Sequence, residues 1–352
     1  MDQSQFINLK NVESTYLGAR QEELYLKGIN LTVAAGETLG IIGRADSGKS
    51  ALLRCIALLD RPLTGLVAID NKNLTFLASR EISNERRAIG LITAKAEFLN
   101  SKSVMENIAL PLKIQEYPKD KIRTSCEQAL ETVGLSDKYH STPATLNQLQ
   151  RVLLDIARNI VNNIKILLCD DIFIGLEQKS TEILISLLRK IQHEYHLTLI
   201  LTTNDAEIIK TLCQNVIIMQ QGEIVEKCSV LDLFTRPISD TAKDFIRFTT
   251  KHELPWCLRR RIVNQETAEH HALIRLNFTE CLAPEEILNN TLEAYDLKMN
   301  IIQAFQEKIA DRIINVMIIE IFGEAFTVNN AMSFLTNNGL QSEIIGYVPN
   351  IN

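Results

Sequence analysis

The 352-residue sequence has no excess of basic residues: 37 Lys and Arg stand against 43 Asp and Glu, a formal net charge of -6. A protein whose main task is to grip nucleic acid needs a strongly basic surface. This balance argues against that class, while leaving room for a local patch. Long apolar runs are missing too. A bilayer span needs about 20 such residues, and the best stretches stop early, Ile166–Cys169 at Asp170-Asp171 and Val316–Ile319 at Glu320. Any service to a membrane is therefore expected to run through a partner. The opening Met1-Asp2-Gln3-Ser4-Gln5 is polar and lacks the apolar core of a signal peptide. No C-x-x-C pair occurs. The seven cysteines, Cys55, Cys126, Cys169, Cys213, Cys228, Cys257 and Cys281, are scattered and odd in number. They read as reduced, mostly buried thiols in a reducing compartment, because zinc ligands cluster and these do not. His140, His193 and His196 read as surface or internally satisfied side chains rather than catalytic groups or metal ligands.

The length suits two domains. Residues 1–235 alternate strands and helices, which predicts an α/β fold on a parallel sheet. Phe6–Val12, Gly28–Val33, Thr38–Ile42, Ile164–Cys169 and Leu197–Thr202 read as strands, and Val216–Met219 with Glu223–Val225 as a hairpin. Lys49–Leu59, Gln148 to about Val161 and Leu176–His193 read as helices. A polar, helical insert lies within about 95–150, with Pro118 at a helix start and Gly134 just past its end. Residues 236–269 are charged and irregular and read as a linker. Their run Arg259-Arg260-Arg261 fits a solvated face or an interdomain contact, with an anionic-lipid or nucleic-acid site as the alternative. Residues 270–352 give strand, helix, strand, strand, helix, strand, the ferredoxin-like α+β order.

Gly43-Arg44-Ala45-Asp46-Ser47-Gly48-Lys49-Ser50 fits G-x-x-x-x-G-K-[ST]. Phosphates need converging backbone N–H groups, and glycines let the chain curl around them. The next helix aims its positive end at the anion. Lys49 is expected on the β/γ-phosphates of ATP and Ser50 on Mg²⁺. Ile166-Leu167-Leu168-Cys169-Asp170 is an apolar strand ending in an acid, so Asp170 is the second expected Mg²⁺ group.

With these motifs in place, the element order from Phe6 to Phe234 resembles the P-loop ATP-binding subunits of ABC transporters. Within that family it is similar to the ATP-binding subunits of bacterial methionine importers. Three stretches carry this: Arg54–Gly65 (RCIALLDRPLTG), Ser103–Ile114 (SVMENIALPLKI) and Ile166–Asp171 (ILLCDD). The tail resembles their ferredoxin-like (ACT-like) domain, which senses internal substrate. The resemblance implies a cytoplasmic subunit, peripheral on the inner membrane, that dimerises with itself or a paralogue and serves a permease. It implies a nucleotide site of Gly43, Asp46, Ser47, Gly48, Lys49, Ser50 and Ala51, with Tyr16 stacked on adenine, and a small amino acid between two tail domains.

The departures from the family fall on catalytic positions. The Q-loop glutamine is Ala94, the signature L-S-G-G-Q is Leu146-Asn147-Gln148-Leu149-Gln150, the catalytic glutamate is Asp171 and the switch histidine is Asn204. In the phosphate loop a usual glycine is Asp46, and a usual threonine is Ala51. Gln148 and Leu149 put side chains where backbone should approach a phosphate. Asp46 adds negative charge beside phosphates. Asp171 is one methylene short, and a misplacement of about 1 Å can cost on the order of 100-fold in rate. Asn204 can donate a hydrogen bond but carries no charge. Two hypotheses follow: an importer subunit with slowed ATP hydrolysis, or a non-hydrolysing regulatory or scaffolding subunit. A P-loop repair enzyme or kinase would leave the insert and the tail unexplained.

Overall fold

The computed structural model describes residues 5–15, 24–263, 270–278, 284–309 and 312–349. The chain forms two compact units that divide between Lys227 and Cys228. In the first, the elements in order are β1 (Ile7–Thr15), β2 (Leu24–Val33), β3 (Thr38–Ile42), α1 (Lys49–Ile56), β4 (Thr64–Ile69), β5 (Lys72–Asn73), α2 (Ser79–Glu85), β6 (Ile89–Thr93), α3 (Val104–Ile114), α4 (Lys119–Val133), α5 (Gln148–Ile160), β7 (Ile166–Asp170), α6 (Gln178–Tyr195), β8 (Thr198–Thr202), α7 (Ala206–Leu212), β9 (Asn215–Gln220) and β10 (Glu223–Ser229).

A six-stranded sheet runs β10-β9-β3-β8-β7-β6, with parallel pairing from β9 through β6. Its central strands read as continuous apolar runs because helices cover both faces; every residue of β3 and β8 is buried. A second, antiparallel sheet of β2-β1-β4-β5 was not foreseen beyond its first two strands. Ile7, Leu9, Val12, Leu52, Ile56 and Val67 share one apolar core between that sheet and α1. The insert holds helices α3 and α4, which pack on each other and on the following helix α5. Pro118 caps the start of α4, and Gly134, at φ 72°, closes its end.

The second unit contains α8 (Val230–Thr235), α9 (Asp240–Glu253), α10 (Trp256–Arg259), β11 (His270–Phe278), α11 (Pro284–Ala294), β12 (Lys298–Ile309), β13 (Arg312–Phe322), α12 (Ala325–Asn337) and β14 (Gln341–Pro349). The four strands pair antiparallel in the order β12-β13-β11-β14, the ferredoxin-like arrangement expected. Side chains alternate along β11. Ala272, Ile274, Leu276 and Phe278 meet Leu288, Val328, Ala331 and Leu335 of α11 and α12. Leu273 on the other face packs with Leu254, Ile318, Ile345 and Val348.

The stretch 236–269 differs from the linker expected. Its described part is largely helical and belongs to the second unit. The Ser239 hydroxyl accepts the Ala242 N–H at 3.2 Å, and Ala242 and Ile246 are buried one turn apart. Charged residues between them hid that spacing in the sequence. The arginine run is held locally. Arg259 Nε donates to the Leu254 carbonyl at 2.6 Å, Arg260 lies 5.0 Å from the Trp256 ring centre, and Arg261 donates to the Pro349 carbonyl at 2.9 Å.

Arg275 is a buried cation on the α9-side face of this sheet. It bonds Asn277 Oδ1 at 3.0 Å and Glu307 Oε2 at 3.1 Å. Glu343, its register partner on β14, lies 3.5 Å from Arg247 Nε.

Candidate nucleotide site

Strand β3 delivers the chain to Gly43, where a Cβ would stand 2.4 Å from Ser47 Oγ and 2.6 Å from the Met219 carbonyl oxygen. Gly48 sits at φ 98°, and a Cβ there would be 2.8 Å from the Tyr25 carbonyl oxygen. Only glycine fits either place. Asp46 also adopts a left-handed backbone, φ 62°, a conformation a short polar residue tolerates. Gly48 is the N-cap of α1 and offers no side chain to its first-turn N–H groups, which leaves them for an anion.

The Lys49 ammonium curls back over the loop and donates to the carbonyls of Gly43 at 2.7 Å and Arg44 at 2.9 Å. Burial pulls its pKa down, and the carboxylates of Asp171, Asp170 and Asp46 act in the opposite direction. Ser47 Oγ is buried, with no hydrogen-bond partner among the described residues. Ser50 is exposed and Ala51 half-buried, one step along α1. Tyr16, the expected adenine contact, lies outside the described residues.

Asp170 ends β7, and β8 beside it ends at Thr202. Thr202 Oγ1 accepts the Asp171 N–H at 2.8 Å and lies 3.0 Å from Asp170 Oδ1 and 3.1 Å from Asp171 Oδ1. Asn204 Oδ1 accepts the Gly43 N–H at 3.2 Å. The ends of β3, β7 and β8 thus bring Gly43, Lys49, Asp170, Asp171 and Asn204 together, outside the carboxyl ends of parallel strands, where such sheets bind ligands. Thr202 was missed in the sequence. Its one signal was a pair of hydroxyl residues, Thr202-Thr203, closing an otherwise apolar strand.

Ala94 follows β6, and its N–H donates to the Asp170 carbonyl at 3.2 Å. The loop beyond it is fastened to α5: Arg151 and Arg158 lie 5.1 and 4.9 Å from the Phe98 ring centre, and Arg158 donates to the Glu97 carbonyl at 2.9 Å. Asn147 caps α5. Its Oδ1 accepts the Gln150 N–H at 2.9 Å, and Gln150 Oε1 accepts the Asn147 N–H at 3.0 Å, a reciprocal capping box. Gln148, where the family has glycine, donates to the Ile174 carbonyl at 2.6 Å. Its side chain is committed to the loop after Asp171 in its own chain.

The buried thiols are passive. Burial pushes Cys55 up to about 12 and Cys126 up to about 11, and raises Cys169 and Cys213 as well. Among the described residues no cluster of three or more His, Cys, Asp or Glu could hold a metal alone. Mg²⁺ does not need one, since it commonly takes one or two protein oxygens plus substrate phosphates. Ser50 and Asp170 supply oxygen donors of that kind.

Comparison with known proteins agrees with this architecture. The ABC transporter family model matches residues 26–173, and the NIL domain model matches residues 272–344. The methionine import ATP-binding protein MetN of Coxiella burnetii is 36% identical over 342 residues, 97% of each chain. The protein of that name from Aliivibrio fischeri is 32% identical, covering 97% of this chain and 99% of its own. The ATP-binding cassette MJ0796, solved as a post-hydrolysis dimer bound to ADP and Pi, superposes with a TM-score of 0.59 at 30% identity, over 64% of this chain and 98% of that one. CbiO1 from Clostridium perfringens, part of the CbiONQ transporter complex, gives 0.61 at 24% identity over 72% and 96%, a likeness of fold.

Proposed function

The chain belongs to the methionine import ATP-binding proteins of the ABC transporter family, and from that premise we propose that it is the ATP-binding subunit of an importer for methionine or a related amino acid, with ATP cleavage slowed. The observation that carries this is the buried Lys49 ammonium, held by two loop carbonyls and acted on by Asp170 and Asp171 at the end of β7 and by Asp46 in the loop. In that setting the ammonium, bonded only to neutral carbonyls, is free to exchange them for the oxygens of a triphosphate. The glycine-lined loop gives its N–H groups to the phosphates, and Ser50 and Asp170 would hold Mg²⁺. A bound Mg²⁺ neutralises charge on the β- and γ-phosphates.

The hydrolytic groups support slow turnover. Asp171 is held by Thr202, and Gln148 by Ile174. Two chains are proposed to pair, as the MJ0796 cassette does, at the cytoplasmic face of a permease. Among the described residues no helix is long and apolar enough to cross a membrane. The second unit is proposed to bind a small amino acid between two copies.

The test is Mg-ATP binding by calorimetry, followed by steady-state turnover with the permease. Wild type is expected to bind at millimolar Mg-ATP or below. Lys49→Ala is expected to lose roughly 10- to 100-fold, the range of a charge-assisted hydrogen bond. No binding by wild type removes the nucleotide reading. Binding with turnover equal to that of Lys49→Ala selects the non-hydrolysing alternative, which the two tethers already favour over brisk hydrolysis.

A further inference from the structure

Thr202 is fully buried at the end of β8, and its hydroxyl lies among groups of the acid pair. A hydroxyl carries one proton to donate and two lone pairs, whereas an ionised carboxylate only accepts. The oxygen therefore grips Asp171 twice: it accepts the backbone N–H at 2.8 Å and lies in donating range of Oδ1 at 3.1 Å. Asp170 Oδ1, at 3.0 Å, competes for the same proton. Asp171 is itself left-handed, φ 53°, which sets the direction of its side chain from the backbone outward. A general base must reach within about 2.6–3.2 Å of the proton it takes. A carboxylate gripped at the end of β8 has that freedom reduced.

We propose that Thr202 is a positioning residue that latches the Asp171 carboxylate onto the end of β8, and that this latch, together with the missing methylene, slows ATP cleavage. The inference rests on the reading of the site as an ATP site with slowed hydrolysis, and it names what does the slowing. It also separates two causes that the sequence runs together. Lengthening the side chain by Asp171→Glu keeps the Thr202 hydroxyl and its bond from the backbone N–H of residue 171. Thr202→Val, of nearly the same shape, removes the latch and leaves the side chain short. Each alone gives a small gain in rate, and the two together give more than the product.

The test is a double-mutant cycle on the full chain, read by ATP turnover and by Mg-ATP affinity. Asp171→Glu with Thr202→Val is expected to exceed the product of the single effects by about tenfold, within the usual range of direct coupling. Asp171→Glu with Thr202→Ser, which keeps the hydroxyl, is expected to match Asp171→Glu alone. Affinity for Mg-ATP is expected to respond to Thr202→Val alone, through its contact with Asp170, and to show no coupling with Asp171→Glu, whereas general damage to the fold would lower affinity and rate together. Crystals of the nucleotide-free Thr202→Val and Thr202→Ser chains give a second readout, with Thr202→Ala in reserve should the valine variant fail to fold. In the valine chain Asp171 is expected to change its χ1 rotamer or leave the left-handed region, and in the serine chain to keep both. Rates that multiply, a serine chain that behaves like the valine chain, or an unmoved Asp171 in the valine crystals overturns the proposal. A wild-type chain that binds no Mg-ATP overturns the ATP reading and the catalytic half of this inference. The crystals then decide the latch by themselves.

Discussion

Lys49 is charged in a place that does not welcome charge. Burial lowers its pKa, so the folded chain holds that proton less tightly than the unfolded chain does. The resulting cost is present at neutral pH and fades only as pH approaches the ordinary lysine value of about 10.4. An anion brought to the loop relieves that cost at once. Glu343 shows the opposite sign for an acid. Burial raises its pKa, against the pull of Arg247, Arg275 and Lys243. The folded chain therefore binds the Glu343 proton more tightly than the unfolded chain, and stability is lost as pH rises from the ordinary glutamate value of about 4.3 through the raised one. Glu343→Gln removes that loss. Urea unfolding midpoints of Glu343→Gln relative to wild type are expected to climb as pH rises from the ordinary glutamate value of about 4.3 and to level off above the raised one. A difference independent of pH would contradict the assignment.

At the scale of elements, the helix that opens the altered signature is better anchored than its sequence suggests. Asn147 and Gln150 close a capping box at the start of α5, and Gln148 ties the same turn to Ile174. The signature has lost its glycines, but its helix keeps a defined beginning. Asn147→Ala is expected to cost about 1 kcal/mol, the usual value of an N-cap, seen as a lower thermal midpoint. Asn147→Ser should recover it, because serine caps equally well. A full loss of folding in the alanine variant would mean that Asn147 does more than cap. Helix α9 carries the converse lesson. Its charged residues led to a linker reading, while Ala242 and Ile246, buried four positions apart, were enough to seat a helix. A narrow apolar stripe is easily outvoted by the polar residues around it.

For the whole molecule, the proposed function places one ligand on each of the two compact units. Hydrogen exchange on the full chain is expected to slow upon Mg-ATP addition around residues 43–49, 170–171 and 202–204, the strand ends that converge on the loop. Methionine is expected to slow exchange within 270–349 instead. A methionine footprint confined to the first unit would refute the role proposed for the second. The six-stranded sheet apart from β6, and the four-stranded sheet of the second unit, were largely legible in advance, because strand alternation and apolar runs are local properties of the chain. The antiparallel partners β4 and β5 were not. They are half-buried or exposed at most positions, so they lack a strong pattern.

What the sequence determined by itself was the list of parts: a glycine-framed anion loop, an acid at the end of an apolar strand, a helical insert and a ferredoxin-like tail. Each of these is written in residues close together along the chain, where spacing alone carries the physics. The tertiary structure decided who touches whom at the site. Thr202 meets Asp171 from 31 positions away, Gln148 meets Ile174 from 26, and Asn204 meets Gly43 from 161. The first and last of these contacts arise because the sheet order sets β8 between β3 and β7, the second because the start of α5 meets the loop after β7, and such packing across the fold is recorded in no local pattern.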